Sequence, residues 1–208
     1  MTQVLIATSS PGKLRDFAAA AAEHGIAVAG LPDFASLPAV AEDQPTFEGN
    51  ARKKAEHYSR FQPGEVVLAD DSGLEVATLA GAPGVRSARY AARSPHENAS
   101  DAANNARLLE ELRNVPEPER RARFVCLIVA AHAGRALASF RGEAQGVILH
   151  SPRGSGGFGY DPLFYFPELG KTFAELSPAE KARVSHRGQA FRNFLEWWHT
   201  NRSPESGI

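Results

Sequence analysis

Asp70 and Asp71 are the residues of this 208-residue chain whose types and spacing most directly suggest chemistry; they stand in Leu68-Ala69-Asp70-Asp71-Ser72-Gly73-Leu74. They follow the apolar run 66–69, the pattern of a buried strand that delivers acids to the carboxyl edge of a sheet, where α/β proteins hold ligands. Side chains alternate along a strand, so adjacent acids face opposite sides and do not share one proton. One faces a pocket, and the other supports it or meets a metal through water. In isolation an acidic turn after a strand is the commoner explanation of Asp-Asp, so other segments decide.

Thr8-Ser9-Ser10-Pro11-Gly12-Lys13 brings hydroxyls, free N–H groups and a lysine to the start of a helix. That setting suits a polyphosphate. It is not a Walker loop, because the first glycine is missing and Leu14 follows the lysine; a capped surface helix would read the same way. Gly154-Ser155-Gly156-Gly157-Phe158-Gly159 has dinucleotide-like glycine spacing. Tyr160-Asp161-Pro162 follows where a helix would open, which excludes that reading. Phe158 is either an aromatic face on which a base stacks or part of a tight turn buried with Tyr160. Ser185 has the character of a helix cap, placing His186 and Arg187 in a first turn that favours an acceptor or anion. His57, His132, His150 and His199 lack ligand spacing and acidic partners and are read as structural or surface residues. Cys126, in the apolar run 124–129, is read as a buried, inert thiol.

The elements that must position these groups alternate between strand-like and helix-like, which predicts an α/β fold with a mixed sheet. A strand is expected at 4–7. A helix capped by Ser10, with Pro11 at its first position, should reach about residue 24, and another should follow Thr46 with Phe47, Ala51 and Ala55 on one side. Ala99, Ala102, Ala103, Ala106, Leu109 and Leu112 recur at helical spacing within 95–113. Strands should follow at 122–131 and 135–142, joined through His132-Ala133-Gly134. Ser177-Pro178-Ala179-Glu180 is a capping box, and the apolar spacing of Ala190, Phe191, Phe194, Leu195 and Trp198 restarts after Ser185. One of Trp197 and Trp198 belongs in the core. Residues 1–202 are read as a single domain of two lobes, and 203–208 as a frayed tail.

Composition narrows the function classes. With 43% hydrophobic and 23% charged residues the chain reads as an ordinary globule. A net charge of −1 offers no global attraction for nucleic acid or anionic membrane, so anion binding must come from local basic groups. No apolar run is long enough to span a bilayer, and the amino terminus lacks a basic n-region. With a single cysteine, these features point to the cytoplasm.

Taken in order, several segments resemble one family. They are Thr8 to Lys13; Thr46-Phe47 with Asn50-Ala51 and Lys54-Ala55; Asp70-Asp71-Ser72-Gly73-Leu74; and Gly81-Ala82-Pro83-Gly84-Val85 with Ser87-Ala88-Arg89-Tyr90. Gly156-Gly157-Phe158-Gly159-Tyr160-Asp161-Pro162, Ala174-Glu175-Leu176 with Glu180-Lys181, and Ser185-His186-Arg187 complete the set. Together, from about residue 4 to residue 195, they resemble the inosine triphosphate pyrophosphatase family, which removes non-standard purine nucleotides.

The resemblance implies an elongated, two-lobed α/β fold with a long central mixed sheet flanked by helices, usually a homodimer. It implies hydrolysis of ITP, dITP and XTP to monophosphate and pyrophosphate with Mg²⁺. Asp71 would be general base and metal ligand, with Glu42 also near the metal. Thr8, Ser9, Ser10 and Lys13 would hold the triphosphate and Ser72 would contact the nucleotide. Phe158, Gly159, Tyr160 and Asp161 would hold base and sugar, with Lys181, His186 and Arg187 completing the base pocket. Donors such as Arg187 would favour a 6-keto base over adenine.

Three positions depart from the family pattern: Ser10 replaces asparagine, Gly49 a common glutamate, and Arg86 a frequent aromatic residue. Alternatives to this reading are a pyrophosphatase for pyrimidine or modified nucleotides and a non-catalytic nucleotide sensor. The intact Asp70-Asp71-Ser72-Gly73 weighs against a sensor, since a pure binder has little need of a water-orienting acid.

Overall fold

The computed structural model describes residues 3–94 and 97–201, so the tail at 203–208 lies outside the described residues. The strands are β1 (Gln3–Ile6), β2 (Ala27–Gly30), β3 (Val66–Val76), β4 (Arg121–His132), β5 (Arg135–Ile148), β6 (Phe164–Phe166) and β7 (Lys171–Thr172). The helices are α1 (Pro11–Ala22), α2 (Phe47–Tyr58), α3 (Asp101–Glu111), α4 (Pro178–Val184) and α5 (His186–Asn201). One seven-stranded sheet runs in the order β2-β1-β3-β4-β5-β6-β7. β1 pairs in parallel with β2 and β3, whereas β6 pairs antiparallel with β5 and β7, so the sheet is mixed as expected. Ala133 and Gly134, at φ +47° and +85°, form the tight turn between β4 and β5. Among the described residues, no helix is long and apolar enough to cross a membrane.

The helix starts follow from their caps. Lys13 N donates to Ser10 Oγ at 3.3 Å, with Pro11 at the first helical position; the proline loses nothing there because its missing N–H would be unpaired anyway. Thr46 Oγ1 caps α2 by accepting from Gly49 N at 3.1 Å. The capping box at α4 is reciprocal: Glu180 N donates to Ser177 Oγ at 3.2 Å and Ser177 N to Glu180 Oε2 at 2.8 Å. Ser185 Oγ accepts from Gly188 N at 3.1 Å and opens α5.

Two expectations need correction. β3 does not end at the acids; it continues to Val76, and Leu74 and Val76 are fully buried. Its parallel pairing with β1 stops at Leu68, where Ala7 N donates to Leu68 O at 2.7 Å. Asp70 and Asp71 therefore lie just beyond the carboxyl end of β1 but in the middle of their own strand. On α3, the buried residues are Asn104 and Leu108, while Ala102, Ala103 and Ala106 are exposed. The Asn104 side chain binds Ala91 N, Ala88 O and Ala99 O, so a polar residue faces inward because the adjacent loop needs its donors and acceptor.

The chain divides into two compact units. The first comprises Met1–Asp71, Cys126–Gly142 and Ala182–Ile208. Its core joins Val4 and Ile6 of β1, Phe17 of α1, Leu68 of β3, Ile128 of β4 and Phe191, Phe194 and Trp198 of α5. Phe17 and Phe191 are fully buried with ring centroids 5.7 Å apart, so α1 packs directly on α5. Burying each such ring stabilises by roughly 1.5–3 kcal/mol. Of the two tryptophans, Trp198 enters the core and Trp197 packs against it.

The start of α5 lies against β5 at a glycine: a Cβ at Gly142 would fall 2.0 Å from His186 O and 2.5 Å from Ala190 N. Gly142→Ala should destabilise this unit by roughly 1–3 kcal/mol through overpacking. A lower urea midpoint at an unchanged slope would verify it; an unshifted midpoint would mean that α5 does not seat there.

The second unit comprises Ser72–Val125 and Glu143–Lys181. Phe124, Phe164, Phe166 and Phe173 form its aromatic cluster, with centroids 4.6–5.9 Å apart. Arg120, fully buried, donates to the carbonyls of Ile148, Leu112, Val115 and Leu149. Its guanidinium thereby satisfies the carbonyl end of α3.

Candidate active site

The expected site residues fall into two sets, one per unit. In the first unit, β3 turns its neighbouring acids toward different partners, as alternation along a strand requires. Asp70 meets Lys13 Nζ at 3.0 Å and Arg187 Nη2 at 3.4 Å, with Cys126 Sγ at 3.9 Å. Asp71 accepts from Asn50 Nδ2 at 2.9 Å through Oδ2, and its Oδ1 lies 3.9 Å from Lys54 Nζ. Both acids are buried.

These surroundings drive the two acidities apart. Burial disfavours ionisation of Asp70, but Lys13, Arg187 and Lys54 outweigh it and hold the carboxyl well below the ordinary 3.8. Asp70 is therefore an anion at neutral pH. For Asp71, burial dominates and Glu42 adds to it; Lys54 and Lys13 only partly compensate, so its pKa is raised. Neighbouring carboxyls pushed in opposite directions are the pattern of a structural anion beside a proton acceptor.

Lys54 links Asp71 to Glu42, whose Oε1 lies 2.5 Å from its Nζ. Burial favours the neutral amine, yet Asp71, Glu42 and Asp70 together raise its proton affinity. Two carboxylates gathered around one cation form a hard oxygen donor set. They fit magnesium, which takes oxygen ligands and needs only one or two protein carboxylates. Among the described residues, no cluster of three or more His, Cys, Asp or Glu offers a complete protein cage.

The loop leading into α1 is preorganised. Thr8 Oγ1 accepts from Ser10 N at 3.1 Å, and Ser10 Oγ is committed to the helix cap. Ser9 is exposed and Lys13 half-buried. Serine at position 10 therefore has a local use as cap. Gly49 has a packing reason: a Cβ there would meet Gln44 Cβ at 2.8 Å. Arg86 is exposed. His186 and Arg187 are buried in the first turn of α5. Arg187 binds Asp16 at 2.7 Å as well as Asp70, so its guanidinium is held by two carboxylates. Cys126 is a free, buried thiol pushed up to about 12 by burial and by Asp70, which removes it as a nucleophile.

The second unit holds Ser72, half-buried on β3, and the segment from Phe158 to Asp161. Phe158 is half-buried and Tyr160 buried, its hydroxyl donating to Ser87 O at 2.8 Å. Asp161 Oδ2 accepts from Phe158 N at 2.9 Å and pairs with Lys181 Nζ at 2.7 Å. The Lys181 ammonium also stands 4.9 Å from the Phe158 ring centre, a cation–π contact. Gly157 makes this closure possible, at φ +71° and with space for a Cβ already filled by Asp161 Oδ2, 2.0 Å away.

Sequence reasoning named Asn50 and Lys54 only as parts of a motif and gave them no role, and it left Asp16 out. The signal was available for two of them. Asn50 and Lys54 are four apart on the stripe that carries Ala51 and Ala55, and polar residues on the inward face of a helix need partners.

A helix-capped lysine loop beside a carboxylate pair, and a separate aromatic–ammonium loop, are thus carried on an α/β fold with a mixed sheet. Residues 4–197 match the model of the Ham1 family, and the chain belongs to that family. It is 50% identical over 198 residues to the dITP/XTP pyrophosphatase of Geobacillus kaustophilus, covering 95% of each chain. It is 47% identical over 202 residues to the dITP/XTP pyrophosphatase of Thermus thermophilus, covering 97% of this chain and 94% of that one. The solved Ham1 protein of Staphylococcus aureus superposes with a TM-score of 0.80 at 38% identity, covering 97% of this chain and all of that one.

Proposed function

We propose that this chain is a dITP/XTP pyrophosphatase that hydrolyses ITP, dITP and XTP to the monophosphate and pyrophosphate, with Mg²⁺ as cofactor. The observation that carries the reading is the division of labour in the acid pair: Asp70 fixes Lys13, while Asp71, with raised proton affinity, stands beside Asn50, Lys54 and Glu42. Its support from relatives is their shared name and near-complete coverage.

Asp71 orients a water and accepts its proton as the water oxygen attacks the α-phosphorus; the bond to the bridging oxygen breaks and pyrophosphate leaves. General-base assistance of this kind contributes about 10²–10⁴-fold. Glu42 and Asp71 would hold the Mg²⁺, which when bound would supply neutralisation of the triphosphate charge. Lys13 and the N–H groups at the start of α1, with Thr8, Ser9 and Ser10, take the phosphates, and Ser72 contacts the nucleotide. Phe158 offers its face to the base, with Gly159, Tyr160, Asp161 and Lys181 around base and sugar. His186 and Arg187 complete the recognition of a 6-keto purine. The reading extends to a cytoplasmic homodimer, the dimer being checked by sedimentation of the purified chain.

The test is pyrophosphate release from dITP, XTP, dGTP, dATP and dUTP with and without Mg²⁺. Fast, metal-dependent release from dITP and XTP, with little from dGTP and dATP, is expected. Equal rates on every nucleotide would remove the base assignment, and preference for dUTP would favour a pyrimidine enzyme. Tight ITP binding without release would make the chain a sensor.

A further inference from the structure

The loop that carries Phe158 is gripped from α3 by contacts that the proposed reaction does not use. Asp101 Oδ2 accepts from Gly159 N at 2.6 Å, and Asn105 Nδ2 donates to Gly159 O at 2.9 Å. Asp101 and Asn105 are four residues apart, so they lie one above the other on the same edge of the helix. Both polar backbone groups of a single residue are therefore bound by one helical turn. Gly159 is at φ +61°, a left-handed conformation in which the direction of the chain is set by few other forces. On the other side of the aromatic residue, Asp161 takes Phe158 N. The backbone around Phe158 is thus tied at three points by side chains, which fixes the direction in which its Cα–Cβ bond leaves the chain.

A purely structural role for Asn105 is a poor explanation. Asparagine is a weak helix former, and this one sits inside α3 with its Oδ1 buried and no hydrogen-bond partner among the described residues. Alanine would serve the helix better. The contact to Gly159 O is what the amide provides. It also fixes the orientation of the amide, since a carbonyl needs the Nδ2 donor. Asp101 has a second possible use, because an acid in the first turn complements the helix dipole; the test separates the two.

We propose that Asp101 and Asn105 are positioning residues for base selection: they clamp Gly159, hold the Phe158 face in one direction and so set the discrimination between hypoxanthine and other purines. This rests on the reading of the segment from Phe158 to Asp161 as the base site. The experiment measures kcat and KM for dITP and dGTP, inhibition by pyrophosphate and the melting temperature for the wild type and for Asn105→Ala, Asn105→Asp, Asp101→Ala and Asp101→Asn.

Asn105→Ala and Asp101→Ala should each raise KM for dITP about tenfold, more than they lower kcat, as expected for loss of one well-placed hydrogen bond. The dITP preference over dGTP should shrink, while inhibition by pyrophosphate, which has no base, stays at the wild-type level. Asn105→Asp should be worse than Asn105→Ala, because it sets a carboxylate against Gly159 O. Asp101→Asn should rescue, because an amide oxygen still accepts from Gly159 N. A dITP to dGTP ratio unchanged in all four variants would overturn the proposal, as would Asp101→Asn failing as badly as Asp101→Ala, or lower melting temperatures with KM unmoved. A wild type that shows no base preference would instead overturn the base-site reading itself.

Discussion

Asp71→Asn is expected to lower kcat for dITP by about 10²–10⁴-fold, the range of a lost general base, while the melting temperature stays level or rises. Asparagine has the same shape, and its oxygen can still accept the Asn50 amide that now binds Asp71 Oδ2. The wild-type carboxylate is buried and its ionised form disfavoured, so replacing it with a neutral group removes a local cost of folding. Activity and stability should therefore move in different directions. Steady-state turnover alongside calorimetry reads both, and near-normal turnover would remove Asp71 as the base.

The neighbouring acid should behave in the opposite way. Asp70→Ala deletes the anion shared by Lys13 and Arg187, and Arg187 is only 1% exposed. Breaking a buried pair leaves an uncompensated charge and costs about 3–5 kcal/mol. For a chain of this length, that corresponds to a fall in melting temperature of roughly 6–20 °C. Asp16 still holds Arg187 from the other side, which favours the lower part of the range.

The contribution of Asp70 also has a direction in pH. Its pKa in the folded chain lies below the ordinary 3.8, so the stabilisation is complete above 3.8 and is lost as pH falls from there toward the folded value. Urea midpoints measured down through this window should converge for wild type and variant. Curves that remain parallel would mean that Asp70 is not the group being protonated.

Much of the architecture was legible because local rules and the global fold agree. Ser10 with Pro11, Ser177 with Glu180, and Ser185 each marked a helix start, since unpaired N–H groups need a nearby oxygen. Opposite facing of Asp70 and Asp71 followed from the pleat alone. Periodicity misplaced the inward face of α3, because the buried position belongs to Asn104 and its reason is a loop remote in sequence. The extent of β3 is hidden in the sequence for a related reason: charged residues ordinarily end a strand, whereas Lys13, Arg187, Asn50 and Lys54 supply the partners that let carboxylates stay inside one. The place of Arg187 in a first helical turn was legible, but its two carboxylate partners, Asp16 and Asp70, come from distant segments.

The continuation of β3 through the acids to Val76 makes the assignment of roles a matter of parity. Which carboxylate becomes anchor and which becomes acceptor depends on whether each stands an odd or even number of residues from the paired Leu68. Deleting the one residue between Leu68 and Asp70 would hand the Lys13 and Arg187 cations to Asp71, even though every side chain of the site would still be present. Point substitutions can tune this site, whereas a change of length here carries both acids away from the partners that define them.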